Sequence, residues 1–256
     1  MTEFMYITST GMVCPVGLSA QAACAAMRAG ISQFEELPYI YNEGDPIMGA
    51  ITPGLKADLK FEQRLVEMLA AAISECLSKK QPPQTETIPL LVGLPESERP
   101  GIQSALADRI IGQVQEKVQV QFHPRLSRTI SAGHTSGFEA IRSVPDLFQD
   151  SKVSSCLICG VDSFINARSL LWLDQHQRLK TDENSDGVIP GEAAAAICLG
   201  RQGTSTGKGK VRIPSLGFGK ENANILSEEP CLGLGLTKAV EAALEGAGFK
   251  MDEIDF

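Results

Sequence analysis

The side chains that could do chemistry lie in one short segment, Ser131 to Ser136, which runs into an apolar helical pattern. His134 could donate a hydrogen bond or act as a weak base, but the positive end of a helix dipole disfavours its imidazolium form. Serine attack needs a base and an orienting acid, and the sequence places neither. Ser131 and Ser136 therefore remain candidate nucleophiles, with helix capping favoured. His134 either lines a pocket or fills the space beneath a turn; the second reading is favoured.

The other reactive side chains give no site. His123 and His176 are far apart, and the cysteines lack the spacing of metal ligands. Cys156 and Cys159 have redox spacing, but within a strand they face opposite sides, so we expect core packing. The glycines and lysines of segment 200–210 do not follow the phosphate-binding order. We therefore expect no metal and no cofactor.

Composition limits the class of protein. The chain has 256 residues, enough for one substantial core, and a net charge of −8, which argues against a nucleic-acid partner. Plentiful aliphatic residues and a single Trp172 suit a buried parallel sheet. Seven cysteines, an odd number in mostly apolar segments, indicate a reducing compartment. No signal peptide or membrane-spanning run is visible, so we expect a cytoplasmic protein with no membrane partner.

Hydrophobic periodicity predicts alternating strands and helices, which is typical of a layered α/β fold. Ser19 and Gly30 bound the first helix. Segment 35–58 reads as a variable loop, and 192–199 with 211–217 as an antiparallel pair. The other predicted strands are 5–9, 88–93, 118–122 and 154–160. The predicted helices are 20–29, 60–79, 101–117, 136–148, 167–173 and 236–248.

Four segments in order resemble motifs of the β-ketoacyl synthases, which have the thiolase-like fold. They are the opening strand and turn (6–17), the turn and helix at 130–141, the strand end at 159–163, and 178–195, which resembles a glycine-glutamate turn leading into a strand. In the second of these, His134 stands where the family has its nucleophilic cysteine. The segment Val92 to Glu96 also departs from the family's glycine-rich pattern.

The resemblance implies an α/β fold with a mixed, mostly parallel sheet flanked by helices. It assigns residues 1–230 to a ketosynthase-like N-terminal half, and 231–256 to the opening helix and strand of a C-terminal half that is missing or truncated. A fragment, one member of a split pair and a free-standing remnant remain open alternatives. The chain would thus contain none of the second half's catalytic histidines or lysine.

The resemblance also suggests which residues surround an acyl pocket. His134 occupies the nucleophile position and is expected to be inactive, while Ser136, Gly137, Asp162 and Glu192 are the pocket candidates. For Glu192 and Asp162 a structural role, behind the site and at a turn respectively, is the competing interpretation.

Two classes of function follow. The leading hypothesis is a non-condensing scaffold or adaptor, or the inactive partner of another subunit. The alternative is an acyltransferase or decarboxylase that acts on acyl thioesters through a remnant acyl pocket. The resemblance further implies a homodimer or heterodimer, with acyl carrier protein or acyl-CoA as possible ligands.

Overall fold

The computed structural model of this chain describes residues 5–41, 44–56, 58–78, 87–201, 211–223, 227 and 229–255. The chain divides into a larger unit, Thr8–Gly200, and a smaller unit formed by Met1–Ile7 and Arg201–Phe256. The predicted loop at 200–210 lies almost wholly outside the described residues. The predicted boundary between 230 and 231 stays a prediction.

The larger unit is a layered α/β structure, as predicted. Its sheet has the strand order β5-β4-β6-β7-β1. The strands β5, β4 and β6 are parallel to one another, and β7 runs antiparallel to β6. The strands are β1 (Met5–Val13), β4 (Leu90–Leu94), β5 (Arg128–Ser131), β6 (Ser155–Ser163) and β7 (Glu192–Gly200).

Two long helices cover one face of this sheet. The first, α2 (Phe61–Ser78), packs on β6 and β7, and α3 (Leu106–Val118) packs on β4 and β5. The predicted apolar spacing of α2 is confirmed, since Leu65, Leu69 and Ile73 are fully buried. Together these elements form the main hydrophobic core.

The opposite face of the sheet carries less cover. The short helix α4 (Ser136–Arg142) packs on β4, β5 and β6. It was predicted to continue to residue 148, but a separate helix, α5 (Val144–Leu147), begins after Ser143. Pro145 lies in the first turn of α5, where its missing N–H has no cost, whereas the same residue would break a continuous helix.

The segment at 118–122 is not the predicted strand. Gln119 ends α3 in the left-handed conformation, and Phe122 makes only an isolated bridge with Ile88. The side chain of Phe122 is buried in the main core, so its apolar character serves packing instead of a strand ladder. The strand that precedes the His134 turn is β5.

The segment at 35–58 contains a hairpin that was predicted as a loop. Its strands, β2 (Glu35–Ile40) and β3 (Pro46–Gly49), form a separate two-stranded sheet. Leu37 and Ile47 are buried against helix α6 (Ala167–Gln175). Only one or two side chains of each strand face inward, so the alternation is too short to be clear in the sequence.

Both ends of α1 (Ala20–Arg28) agree with the prediction. Ser19 is the N-cap, and its hydroxyl accepts a hydrogen bond from the Ala22 N–H at 3.2 Å. Gly30 has a positive φ of 68° just past the last turn. The Glu75 carboxylate of α2 also accepts from the Ala20 N–H, which ties α1 to the core.

The smaller unit is described by itself. Its strand β8 (Val211–Ile213) pairs antiparallel with Met5–Ile7. The predicted pairing of 192–199 with 211–217 is therefore wrong, because β6 and β1 already occupy both edges of β7.

Helix α7 (Leu234–Ala247) in the smaller unit ends at Gly248, as predicted. The Gly235 N–H of its first turn donates to the Glu221 carboxylate at 3.0 Å, and this bond lowers the pKa of Glu221. After α7, where a strand was expected, Met251–Glu253 form a 3₁₀ helix.

An ion pair between α2 and α3 should make stability depend on pH. The hydrogen bonds from Arg109 lower the pKa of Glu62 below its ordinary value of 4.5. Such a group stabilises the fold above its unfolded pKa, and this contribution is lost as the pH falls through the folded value. We expect Glu62→Gln to be less stable than wild type in urea unfolding at neutral pH. The gap should narrow as the pH falls below 4.5 and close at still lower pH, whereas an equal gap at neutral and at acidic pH would contradict this.

Candidate functional site

The candidate site lies where three parallel strands end. The His134 turn follows β5, Glu96 and Arg99 follow β4, and Asp162 lies near the end of β6. Because β5, β4 and β6 are adjacent and parallel, their carboxyl ends meet at one edge of the sheet. In open α/β sheets this edge is where ligands usually bind.

An apolar pocket of about 520 Å³ opens at this edge, a volume within the usual range for small-molecule sites. It lies between α4 and the face of β6 and β7 turned away from α2. Because side chains alternate along strands, this face carries Ile158, Gly160, Ala193, Ala195 and Ile197. A Cβ added at Gly160 would have no neighbouring atom within 4 Å. The space above this part of the pocket floor is therefore empty.

The sequence-predicted site residues do not all meet at this pocket. His134, Ser136, Gly137 and Asp162 line it, whereas Glu192 does not. His134 does not fill the space beneath the turn, since its side chain is 84% exposed. It stands at the rim of the pocket, in the three-residue 3₁₀ turn (Gly133–Thr135) that precedes α4.

Ser136 is a structural residue in this conformation. Its hydroxyl accepts from the Ala132 N–H at 2.8 Å and donates to the Leu94 carbonyl at 2.9 Å. The residue is buried and lies against Gly93, where an added Cβ would be 2.7 Å from the Ser136 Cβ. The hydroxyl therefore ties the turn to β4 and is not free to attack a ligand.

Asp162 forms an ion pair at the end of β6 in which the arginine is buried and the carboxylate is partly exposed. Arg99 donates to its carboxylate from both terminal nitrogens and to the Ser163 carbonyl at 3.2 Å. The guanidinium also stacks 4.0 Å from the ring centre of Phe164. The expected turn-anchoring role of Asp162 agrees with this geometry.

The Glu192 carboxylate is held beneath the site by three residues. Its carboxylate accepts from the Thr52 N–H at 3.0 Å, the Ser163 hydroxyl at 3.0 Å, and Arg64 of α2. Its side chain is fully buried and that of Arg64 nearly so. Glu192 thus connects the starts of α2 and β7 to the end of β6, which favours its structural interpretation.

Two residues of the site were not found from the sequence, Glu96 and Arg99. The Glu96 carboxylate lies 4.0 Å from His134 Nδ1 and 3.9 Å from an Arg99 nitrogen. Glu96 and His134 are far apart in the chain, and only the pairing of β4 with β5 brings their loops together. The one available signal was that both residues follow strands that end at the same edge.

The two cysteines that line the pocket, Cys14 and Cys159, are both buried. Burial raises the pKa of Cys159 well above its ordinary value, and its side chain belongs to the core on the α2 side. Burial also raises the pKa of Cys76 to about 11.

Within the described ranges, no three His, Cys, Asp or Glu side chains could hold a metal ion. In the same ranges, no helix has the length and apolarity to cross a bilayer.

Comparison with solved structures identifies the fold. The ishigamide ketosynthase/chain length factor matches with a TM-score of 0.74 at 16% identity, over 99% of this chain and 72% of that one. A β-ketoacyl synthase from Burkholderia phymatum matches with a TM-score of 0.70 at 18% identity, over 100% of this chain and 73% of that one.

A third structure is a type II polyketide synthase acyl-carrier protein in complex with its ketosynthase bound to the hexaketide. It matches with a TM-score of 0.74 at 14% identity, over 98% of this chain and 72% of that one. No protein-family model matches the sequence, and no curated protein matches it. The predicted thiolase-like, ketosynthase-type fold is confirmed by these structures.

Removing the Glu192 carboxylate should destabilise the fold strongly. We expect Glu192→Ala to lower the free energy of unfolding by about 3–5 kcal/mol, because it leaves Arg64 buried without its partner. The matched control is Glu67→Ala, whose carboxylate pairs with Lys117 at an exposed position of α2 and should contribute less than about 1 kcal/mol. Urea unfolding measures both, and similar losses would contradict the assigned role.

Thiol labelling should separate buried from exposed cysteines. Cys24 and Cys231 are exposed and should react with iodoacetamide in the folded protein. Cys76 and Cys159 should react only after unfolding, because burial suppresses the thiolate. Peptide mass spectrometry reads out each site. Labelling of Cys159 in the folded protein would show a reactive thiol that the described geometry excludes.

Proposed function

We propose that this chain, which has the fold of the β-ketoacyl synthases, does not condense acyl groups and serves as the inactive partner subunit or adaptor of a larger assembly. The observation that carries the proposal is the side chain at the turn before α4. An exposed imidazole stands there, whereas condensation in the resembled family needs a thiolate at the corresponding place.

The cover of the sheet supports the need for a partner. Among the described residues of the larger unit, two long helices pack on one face, and the seven-residue α4 packs on the other. The apolar strip of β6 and β7 beside α4 is left open, and Ala193 and Ala195 are exposed there. Phe138 and Met27 at its rim are more than half exposed. A contiguous apolar surface of this kind is typical of an interaction site.

The neighbouring structures are consistent with assembly. One of them is named as a ketosynthase/chain length factor, and another is a ketosynthase in complex with an acyl-carrier protein. We therefore expect this chain to have a protein partner. The partner would be a second copy, a condensing subunit or a carrier. These alternatives differ in the mass of the complex that each would give.

The condensation part of the proposal is tested by intact-mass spectrometry after incubation with octanoyl and malonyl thioesters. The wild-type chain should carry no acyl adduct and release no condensation product; either one would overturn the proposal. The companion variant is His134→Cys combined with Glu96→Gln, since a carboxylate beside a thiol opposes thiolate formation. An adduct on this variant would show that acyl groups still reach the turn.

The partner part of the proposal is tested by a charge placed on the open strip. Ala195→Glu should abolish the complex that the wild-type protein forms in its host, measured by native purification and analytical ultracentrifugation. The control is Ala71→Glu, at an exposed position of α2 on the other side of the sheet, which should leave the complex intact. A wild-type chain that is a stable, well-folded monomer without a partner would refute this part.

A second candidate function is favoured by the pocket itself. A cavity of about 520 Å³ with an apolar floor and His134 at its rim fits an acyl chain with a polar head. The chain would then act on acyl thioesters as an acyltransferase or decarboxylase without a covalent intermediate. Binding of a thioester to the wild-type protein, and its loss when Gly137→Leu fills the pocket, would support this function.

A further inference from the structure

We propose that His134 is a general base for the hydrolysis of an acyl thioester bound in the pocket, and that Glu96 is the residue that positions it. The inference rests on the second candidate function, since it requires an acyl ligand in that pocket. It goes further in naming the reaction, the proton acceptor and the orienting carboxylate.

The two oxygens of Glu96 face two different groups. Oε1 lies 4.0 Å from His134 Nδ1, and Oε2 lies 3.9 Å from Arg99 Nη1. Arg99 is itself fixed, because its side chain is only 5% exposed and is bonded to Asp162 and the Ser163 carbonyl. The Glu96 carboxylate thus lies between an anchored guanidinium and an exposed imidazole.

The backbone before His134 is shaped to admit this carboxylate. Gly133 has a positive φ of 55°, and an added Cβ would lie 1.8 Å from Glu96 Oε1. A residue with a side chain at 133 would therefore displace the carboxylate as well as strain the turn.

The arrangement determines which imidazole nitrogen can act. A carboxylate beside Nδ1 favours the tautomer with the proton on Nδ1, and it stabilises the charge that forms when Nε2 takes up a second proton. Nε2 is then the acceptor. The distance of 4.0 Å is longer than a hydrogen bond, but such contacts are often long before a ligand binds.

The proposed reaction is balanced by water alone. Nε2 of His134 accepts a proton from a water molecule as its oxygen bonds to the thioester carbonyl carbon. The carbon–sulfur bond then breaks, and the imidazolium returns the proton to the leaving thiolate. The products are a carboxylic acid and a thiol, with His134 regenerated and no covalent intermediate on the protein.

The test uses the full chain with the octanoyl thioester of N-acetylcysteamine, and octanoate is measured by mass spectrometry. We expect turnover above the buffer rate and a loss of about 100-fold or more in His134→Ala. Added imidazole should restore part of the rate to this variant, which a merely structural role for His134 would not produce. A wild-type rate equal to buffer, or an unchanged rate in His134→Ala, would overturn the proposal.

The positioning role is tested with Glu96→Gln. It should lower kcat about tenfold with KM unchanged, because the amide keeps the size but not the charge. The control, Glu98→Gln, changes an exposed neighbour in the same loop and should leave kcat unaltered. An unchanged kcat in Glu96→Gln would remove Glu96 from the proposal.

Failure of this inference can be told apart from failure of the function on which it rests. Binding of the stable S-octyl thioether analogue is measured by calorimetry on the same protein. If the analogue binds and the thioester is not hydrolysed, the hydrolysis proposal is wrong and an acyl-binding pocket remains. If the analogue does not bind, both the hydrolysis proposal and the second candidate function are refuted.

Discussion

A sheet with apolar side chains on both faces has to be covered on both sides, and this constraint shapes every feature of the larger unit. One face of the sheet is well covered, since α2 and α3 together pack on the strands from β5 to β7. The other face is covered only in part, because α4 is just seven residues long. This unequal cover of the two faces explains the pocket, the open strip of small residues and the exposed aromatic side chain at its rim.

The site combines residues held by several hydrogen bonds with residues that are exposed to solvent. Glu192, Asp162 and Ser136 are each held by several hydrogen bonds, and they fix the ends of β6 and β7 and the start of α4. His134 and Glu96 stand above this base with large exposed fractions. The bonded residues thus fix the backbone that carries His134 at the rim of the pocket, and the imidazole remains accessible to water and ligand.

The sequence predicted the fold well where periodicity is long. The stripe of α2, the caps of α1 and the end of α7 at Gly248 all appear in the structure. The errors occurred where the local sequence pattern does not show how the side chains pack in the folded chain. Phe122 has the character of a strand residue but packs as a single side chain into the core, and the short hairpin strands of β2 and β3 give too few inward positions to be detected.

The sequence predicted only those site residues that lie within a single recognisable motif. The motif turn identified His134, Ser136 and Gly137, and the glycine-glutamate turn identified Glu192, but no local pattern connects Glu96 or Arg99 with them. Their association depends on the order of parallel strands, β5 beside β4 beside β6, which is a property of the sheet. Whether Glu192 reaches the pocket depends on which face of β7 carries its side chain, and it lies on the α2 face with Ala194 and Ala196.

The close approach of Glu96 to Gly133 has a consequence for the history of the sequence. Because the Glu96 carboxylate lies where a side chain at 133 would begin, any residue larger than glycine at 133 requires Glu96 to move aside. We therefore expect homologous chains that keep an acidic residue at 96 to keep glycine at 133, where the positive φ already favours it.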